Sequence, residues 1–306
     1  MEKRSFSDRV ILFDKAAGIT SYAAIEEAGR ALGVKKIGHS GTLDKAASGL
    51  LVICTGKATK LTRFFLESDK RYRGVIKLGV VTDTGDVEGS VVATRSTEGV
   101  THEMISGIVQ KFSGSIEQTP PRYSALKIQG KRASDLARRG MDVPLEKRRV
   151  EIKKLDITGV DLAAMTISMD VHCSKGTYIR SLAADIGDYL NTGAHLLGLR
   201  RIRSGDFSVD DAVTIEEIRE CARGGGVSKN FVLDPVDALS SFGRVMVKDE
   251  ALKKAANGAQ FKQSDIMSME LKPGKPSVIT DGRKNIIAIA DIDGDNWSID
   301  YLNVFV

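Results

Sequence analysis

The sequence predicts an α+β protein, on three observations. Through the first 240 residues, short apolar or alternating runs that read as strands are interleaved with amphipathic helical stretches. Residues 241–306 instead hold short alternating strands, with turns at Lys272-Pro273-Gly274, Asp281-Gly282 and Asp293-Gly294. Across all 306 residues, 42% are hydrophobic and 28% charged, with six prolines, a globular composition long enough for one large and one small domain. The expected division is 1–240 and 241–306.

The elements follow in order. Val10-Ile11-Leu12-Phe13 is a short apolar strand ended by a turn at Asp14–Gly18. Thr20 or Ser21 caps a helix to Leu32, with Ala24, Ile25, Ala28 and Leu32 on one face and Gly33 at its end. Next comes a glycine-rich loop, Gly38-His39-Ser40-Gly41-Thr42-Leu43-Asp44-Lys45, running through Gly49 into the buried strand Leu50–Ile53. Glycines 38, 41 and 49 allow positive φ and close backbone approach. Asp44 is either a catalytic carboxylate held on a rigid scaffold or a solvated turn residue; these residues alone leave both open.

Lys57–Leu66 reads as a short helix with Leu61, Phe64 and Phe65 inward. In the strand Lys70–Gly79, Tyr72, Ile76 and Leu78 share one face and Arg71, Arg73 and Lys77 the other. Thr84-Gly85-Asp86 turns toward a strand near Val91, and His102–Phe112 is helical. Arg122–Arg149 carries nine basic residues against three acids, including a basic helix around Ala133–Arg139, so a polyanion partner is expected. Thr166–Cys173 alternates as a half-buried strand. Thr177 then caps a helix with Ile179, Leu182, Ala183, Ile186 and Leu190 inward.

No apolar run is long enough to cross a membrane, and the charged start lacks the apolar core of a signal peptide. Cys54, Cys173 and Cys221 have no metal-type spacing and fit a reducing, cytoplasmic setting. The four histidines share no ligand spacing, so no metal site is expected. Asp291-x-Asp293-Gly294-Asp295 has its glycine misplaced for a calcium loop and reads as a hairpin turn. Gly49 to Lys57 has the wrong spacing for a phosphate loop. Net charge is +5, and residues 241–306 balance at nine bases and nine acids.

Five motifs in order, between Val10 and Asp237, resemble the bacterial tRNA pseudouridine synthase B family. The Asp44 loop is similar to its G-H-x-G-T-L-D-P-x-A-x-G-L-L signature, with Lys45 in place of the proline and Ser48 in place of the usual threonine. Asp14–Ser21, Thr119–Arg132, Cys173–Asp185 and His195–Gly205 resemble four further family segments. The resemblance implies a largely antiparallel mixed sheet with flanking helices and a C-terminal module of the PUA type. It implies isomerisation of the T-loop uridine (position 55) of tRNA, without a cofactor, with Asp44 as the catalytic residue. Arg180 would pair with Asp44, where a local pairing with Asp185 is the plain alternative. Tyr72 would stack on the flipped base, where a core strand position is the plain alternative. His39 would enter the space the base has left. Gly41, Thr42, Lys175, Tyr178, Arg200 and Arg201 lie within the matched motifs as candidate RNA-binding positions, and Lys127, Lys131 and Arg132 are candidates for backbone phosphates.

The expected partner is the T arm of tRNA, met by a monomer without an obligate protein partner. The other readings are the same chemistry on another RNA or with a guide RNA, and an RNA-binding or tRNA-folding protein without catalysis. An intact Asp44 and Arg180 speak against the last, and a glycoside hydrolase would need a second carboxylate.

Overall fold

A computed structural model describes residues 6–124, 126–128, 130–141, 144–226 and 228–305. The chain opens with strand β1 (Val10–Lys15), helix α1 (Ser21–Leu32), β2 (Ile37–His39) and β3 (Ser48–Thr55). Thr20 caps α1, its side chain accepting from the Ala23 amide, and Gly33 closes the helix in the left-handed region. The expected helix at Lys57–Leu66 is a 3₁₀ segment, Gly56–Leu61, followed by α2 (Thr62–Leu66). Then come β4 (Lys70–Leu78), β5 (Val80–Thr82), β6 (Val91–Thr94), α3 (His102–Phe112) and β7 (Gly114–Gln118). The basic segment forms a minimal hairpin, β8 (Lys127–Ile128) and β9 (Lys131–Arg132), and α4 (Ala133–Arg138). It is followed by β10 (Arg148–Asp161), β11 (Thr166–Cys173), α5 (Ile179–Tyr189), β12 (Ala194–Ser204), β13 (Phe207–Ser208), α6 (Ile215–Ala222) and β14 (Val232–Leu233).

These strands build a large sheet in the order β14-β1-β3-β12-β4-β11-β10-β7, with β2 beside β3 and β13 beside β12. All its pairings are antiparallel except β3 with β12, which run parallel through only two residue pairs, Ser48–Arg200 and Gly49–Arg201. This short parallel contact is the seam of the sheet. Gly49 has φ +104°, and a Cβ there would lie 2.3 Å from the Arg201 carbonyl oxygen, so the seam closes only around glycine. Gly41 also needs positive φ, at +103°, whereas Gly38 sits in β2 as ordinary strand.

The apolar pattern predicts which faces are covered. Leu50 to Cys54 in β3 are all fully buried, as a continuous apolar run requires when both faces are packed. They join β1, α1, Phe231 and residues of the C-terminal sheet in one core. In β4 only the Ile76 and Leu78 side is fully covered. It packs with α3 and α5 in a second core.

A separate five-stranded sheet follows, from β15 (Gly243–Val247), β16 (Ile266–Glu270), β17 (Ser277–Thr280), β18 (Ile286–Asp293) and β19 (Ser298–Val304), in the order β16-β15-β17-β18-β19. A helix α7 (Asp249–Ala256) packs on it; the short strands of this region gave no hint of that helix. Lys60 and Arg63 donate to the carbonyls of Val304 and Leu302, tying the module to the rim of the large sheet. The Asp291–Asp295 stretch is the β18–β19 hairpin turn, with Asp293 accepting from the amides of Asp295 and Asn296.

Candidate active site

The seam positions a carboxylate. Asp44 lies in the loop between β2 and β3, and the loop is pinned from three sides. Ser21 at the start of α1 exchanges two hydrogen bonds with the Leu43 backbone, at 2.8 and 2.9 Å. Gly18 donates to the Lys45 carbonyl at 2.8 Å. Arg201, 1% exposed, donates through Nε to the Leu50 carbonyl at 2.7 Å and through Nη2 to the Gly41 carbonyl at 3.0 Å. A buried arginine that satisfies two loop carbonyls fixes the loop against the sheet.

Arg180 meets Asp44 from the other side. It stands in the first turn of α5, 4% exposed, with Nη2 donating to Asp44 Oδ1 at 3.1 Å and Nε 2.9 Å from Oδ2. Its Nη1 also donates to the Thr84 carbonyl and its Nη2 to the Tyr123 carbonyl, both at 2.9 Å. The local alternative does not occur: Asp185 faces elsewhere, and burial beside Asp188 pushes its pKa up to about 6. Thr177 does not cap α5; its hydroxyl donates to the Ser174 carbonyl, and Gln118 accepts from the Tyr178 amide. A side-chain cap is dispensable because Gln118 already satisfies a backbone donor at the helix entrance.

Burial raises the Asp44 pKa, and the Arg180 guanidinium draws it back. Asp86 adds to the rise: its Oδ2 lies 3.6 Å from Arg180 Nε, and its side chain is 9% exposed. Arg180 therefore faces a second carboxylate, which lies behind the pocket and which the sequence hid inside a plain-looking turn. Asp86 Oδ1 accepts from Thr84 Oγ1 and the Glu88 amide, so the turn supplies its hydrogen bonds while its charge faces Arg180.

Asp44 and Arg180 line a cavity of about 310 Å³ together with Tyr72, Lys70, Leu66, Ser124, Tyr178, Leu199 and Arg201. Tyr72 is half-buried on the covered face of β4, and burial pushes its phenol up, so the ring stays neutral. Lys70 is buried, donates to the carbonyls of Leu66 and Ser68, and is lowered to about 8 by burial. Lys15 is likewise fully buried and lowered to about 8, with its ammonium donating to Ala16 and Ile19. Neither lysine was singled out in the sequence, where each reads as an ordinary strand end. A cavity of about 440 Å³ lies apart, between Asp8–Arg9, Asp234–Val236 and the C-terminal module, and its acids and bases offset one another.

Residues 29–179 match the TruB family pseudouridylate synthase N-terminal domain, and residues 180–239 match the tRNA pseudouridylate synthase B C-terminal domain. The chain is 39% identical to tRNA pseudouridine synthase B of Clostridium kluyveri over 282 residues, covering 91% of this chain and 94% of that one. The chain belongs to the TruB family of pseudouridylate synthases. It is also 46% identical to tRNA pseudouridine synthase B of Cupriavidus metallidurans over 230 residues, covering 75% of this chain and 72% of that one. Its fold is shared with the crystal structure of a Cbf5-Nop10-Gar1 complex, at TM-score 0.74 and 24% identity, covering 99% of this chain and 86% of that one.

Of the positions that the TruB resemblance singles out, the pocket gathers Asp44, Arg180, Tyr72, Gly41, Thr42, Tyr178 and Arg201. His39 stands half-buried at the end of β2. Burial lowers its pKa with help from Arg201, and its Nδ1 is buried without a partner among the described residues. Lys175 and Arg200 stand outside. Lys175 is exposed and pairs with Glu67, and Arg200 makes a two-pronged pair with Asp14 at 2.6 and 3.0 Å. Alternation along β12 sends Arg201 inward and Arg200 outward. The side chains of Lys127, Lys131 and Arg132 lie outside the described residues. No helix of the described residues is long and apolar enough to cross a membrane, and no three metal-binding side chains converge among them.

Proposed function

We propose that this TruB-family chain converts the T-loop uridine, position 55, of tRNA to pseudouridine, with Asp44 as the reacting carboxylate. The observation that carries the reading is the Asp44–Arg180 contact at 2.9 and 3.1 Å inside a pocket floored by Tyr72. The reaction breaks an N-glycosidic bond, turns the uracil and joins it through carbon; that carbon loses a proton and the freed nitrogen gains one. Atoms and electrons balance without an oxidant or a transferred group.

Each residue has a task in that sequence. The target nucleotide leaves its stack, and the Tyr72 ring supplies a face for the base. Arg180 favours the ionised Asp44 in a site that otherwise favours the neutral acid. That anion serves either as nucleophile or as proton acceptor. Buttressing by Ser21, Gly18 and Arg201 fixes it before substrate arrives. His39, Gly41, Thr42 and Tyr178 border the space for the flipped nucleotide. Lys127, Lys131, Arg132 and Lys175 supply positive charge toward phosphates. The C-terminal module, of zero net charge, supports the RNA rather than reading it.

The proposal includes a monomer in the cytoplasm that needs neither guide RNA nor partner chain. Cys54, Cys173 and Cys221 are free, as in a reducing compartment. The test is Asp44→Asn, which keeps the shape and removes the charge. Turnover of unmodified tRNA should fall by roughly 10⁴-fold or more, the scale seen when a sole reacting group is removed. Affinity for tRNA should hold. Pseudouridine mapping at position 55 after single-turnover reaction reads both parts, and substantial conversion by this variant removes Asp44 from the mechanism.

A further inference from the structure

The face of β4 opposite Tyr72 is not covered by a helix, and it carries an organised pair of arginines. Asp170 of β11 sits at its centre with a side chain only 8% exposed. Arg71 Nε donates to its Oδ1 at 2.6 Å, and Arg73 Nε lies 3.6 Å from its Oδ2. Both arginines meet the carboxylate through Nε. Among the described residues, no terminal nitrogen of either side chain has a hydrogen-bond partner. The four terminal nitrogens thus keep their donors unspent, with Arg71 fixed by its hydrogen bond and the Arg73 side chain 72% exposed beside the same carboxylate.

The charge around this pair is one-sided. Asp170 is the carboxylate within ion-pair reach of both guanidinium groups, while Asp156, its cross-strand neighbour on β10, acts on Arg71 from farther away. Strand register places Arg203 of β12 across from Arg71, exposed and without an ion-pair partner among the described residues. His172 flanks Arg71 on β11, with Nε2 3.7 Å from Asp69, which also pairs with Lys153. The other charges of the face close on themselves, Arg200 with Asp14 and Lys154 with Asp156. Arginine forks with free terminal donors match phosphate oxygens. Residues two apart on one strand stand about 6.6 Å from each other, so each fork can take its own phosphate. A hydrophobic partner finds little here, because the outward residues of β4 are Arg71, Arg73 and Lys77 around a half-buried Val75.

We infer that Arg71 and Arg73, aimed by Asp170, bind the phosphate backbone of structured RNA beyond the hairpin that fills the pocket. Tyr72 separates the two sites through the thickness of the sheet, so this contact is a second foothold on a large RNA and takes no part in the chemistry. It stands apart from the assignment of Asp44, since it is read by binding and that assignment by turnover.

The experiment compares Arg71→Gln/Arg73→Gln with the parent chain on two RNAs, a full-length tRNA transcript and its isolated T-arm hairpin, over a range of salt. For the full transcript, two lost phosphate contacts should lower the slope of log K against log salt by about 1.8 and weaken binding about tenfold at moderate salt. Hairpin binding and single-turnover rate on the hairpin should be unchanged. Arg73→Gln alone, at the exposed member, should give about half the slope change and guards against a folding defect in the double variant, which thermal melting would reveal. Unchanged slopes on both RNAs would make the arginines a structural bridge and overturn the proposal. Equal weakening on hairpin and transcript would place them on the main RNA track and also overturn it. Saturable binding of inorganic phosphate, abolished by the double variant while transcript binding is unaffected, would identify a small-anion site instead.

Discussion

The two halves of the large sheet treat the same strand chemistry differently. In the β1–β3 half every residue from Leu50 to Cys54 is fully buried, in one core with residues of α1, α2, α6 and the C-terminal module. In the β4–β11 half the covered face carries Ile76, Ile167 and Val171, and the opposite face carries Arg71, Arg73 and Asp170. The doubly covered half supplies a fixed loop and its carboxylate. The singly covered half supplies the aromatic ring on one face and ordered cations on the other. The pocket lies where they meet, at the two-residue parallel contact that only Gly49 permits.

The largest test of that contrast is on stability. Leu51→Ala removes a fully buried side chain between two packed layers and should cost about 2–5 kcal/mol in denaturant unfolding. A cost below 1 kcal/mol would mean that the β3 half is less tightly enclosed than its burial says.

Arg180→Met should come next. It takes the counter-charge from Asp44 and should lower the single-turnover rate on bound tRNA roughly 10²–10³-fold, the usual scale for one preorganised electrostatic contact. Its pH dependence carries a definite sign. Asp44 acts ionised, so the rate rises with pH through its pKa and then levels. Burial sets that pKa above the ordinary carboxylate value and Arg180 lowers it, so the variant's rising limb should move to higher pH and part of the lost rate should return there. A limb that stays put or moves toward acid would separate Arg180 from the ionisation of Asp44.

Tyr72→Ala tests the covered face of the other half. Loss of a stacking surface should cost about 1–3 kcal/mol, seen in the single-turnover rate at saturating enzyme far more than in affinity. Poor binding with a normal rate at saturation would make Tyr72 part of the RNA track. The smallest effect belongs to the open face: Val75 is half-buried there, and Val75→Ala should cost only about 0.5–1 kcal/mol. Equal costs for Leu51→Ala and Val75→Ala would erase the distinction between the halves.

Much of this was legible in the chain itself, and the reason is periodicity. Leu50–Cys54 announces cover on both faces, and the alternation of β4 places Tyr72 opposite Arg71 and Arg73 before any coordinates are known. Caps and glycines mark α1 at both ends because they act within a few residues of the backbone they satisfy. The Asp44 loop stood out for its glycines, and the family motifs pointed to Arg180 and Tyr72 as its companions. The helix α7 escaped because its fully buried residues are two alanines, Ala251 and Ala255, with only Leu252 packed beside them in a charged stretch.

What the sequence by itself determined was local: which residues alternate, where the chain turns, and which motifs belong together. Tertiary structure alone decided what meets across long separations. Asp86 joins the site because a turn folds its carboxylate to within 3.6 Å of Arg180, and nothing in Thr84-Gly85-Asp86 distinguishes that from a solvated turn. Lys15 and Lys70 become buried cations because packing closes over them, although an isolated lysine beside a strand is most often exposed. Arg200 and Arg201 are neighbours in one motif. Strand alternation turns one toward Asp14 and the other into the pocket, a division that follows once the sheet fixes which face of β12 looks inward. Asp170 becomes the brace of two arginines through the pairing of β4 with β11, a register set by cross-strand hydrogen bonds between segments almost a hundred residues apart.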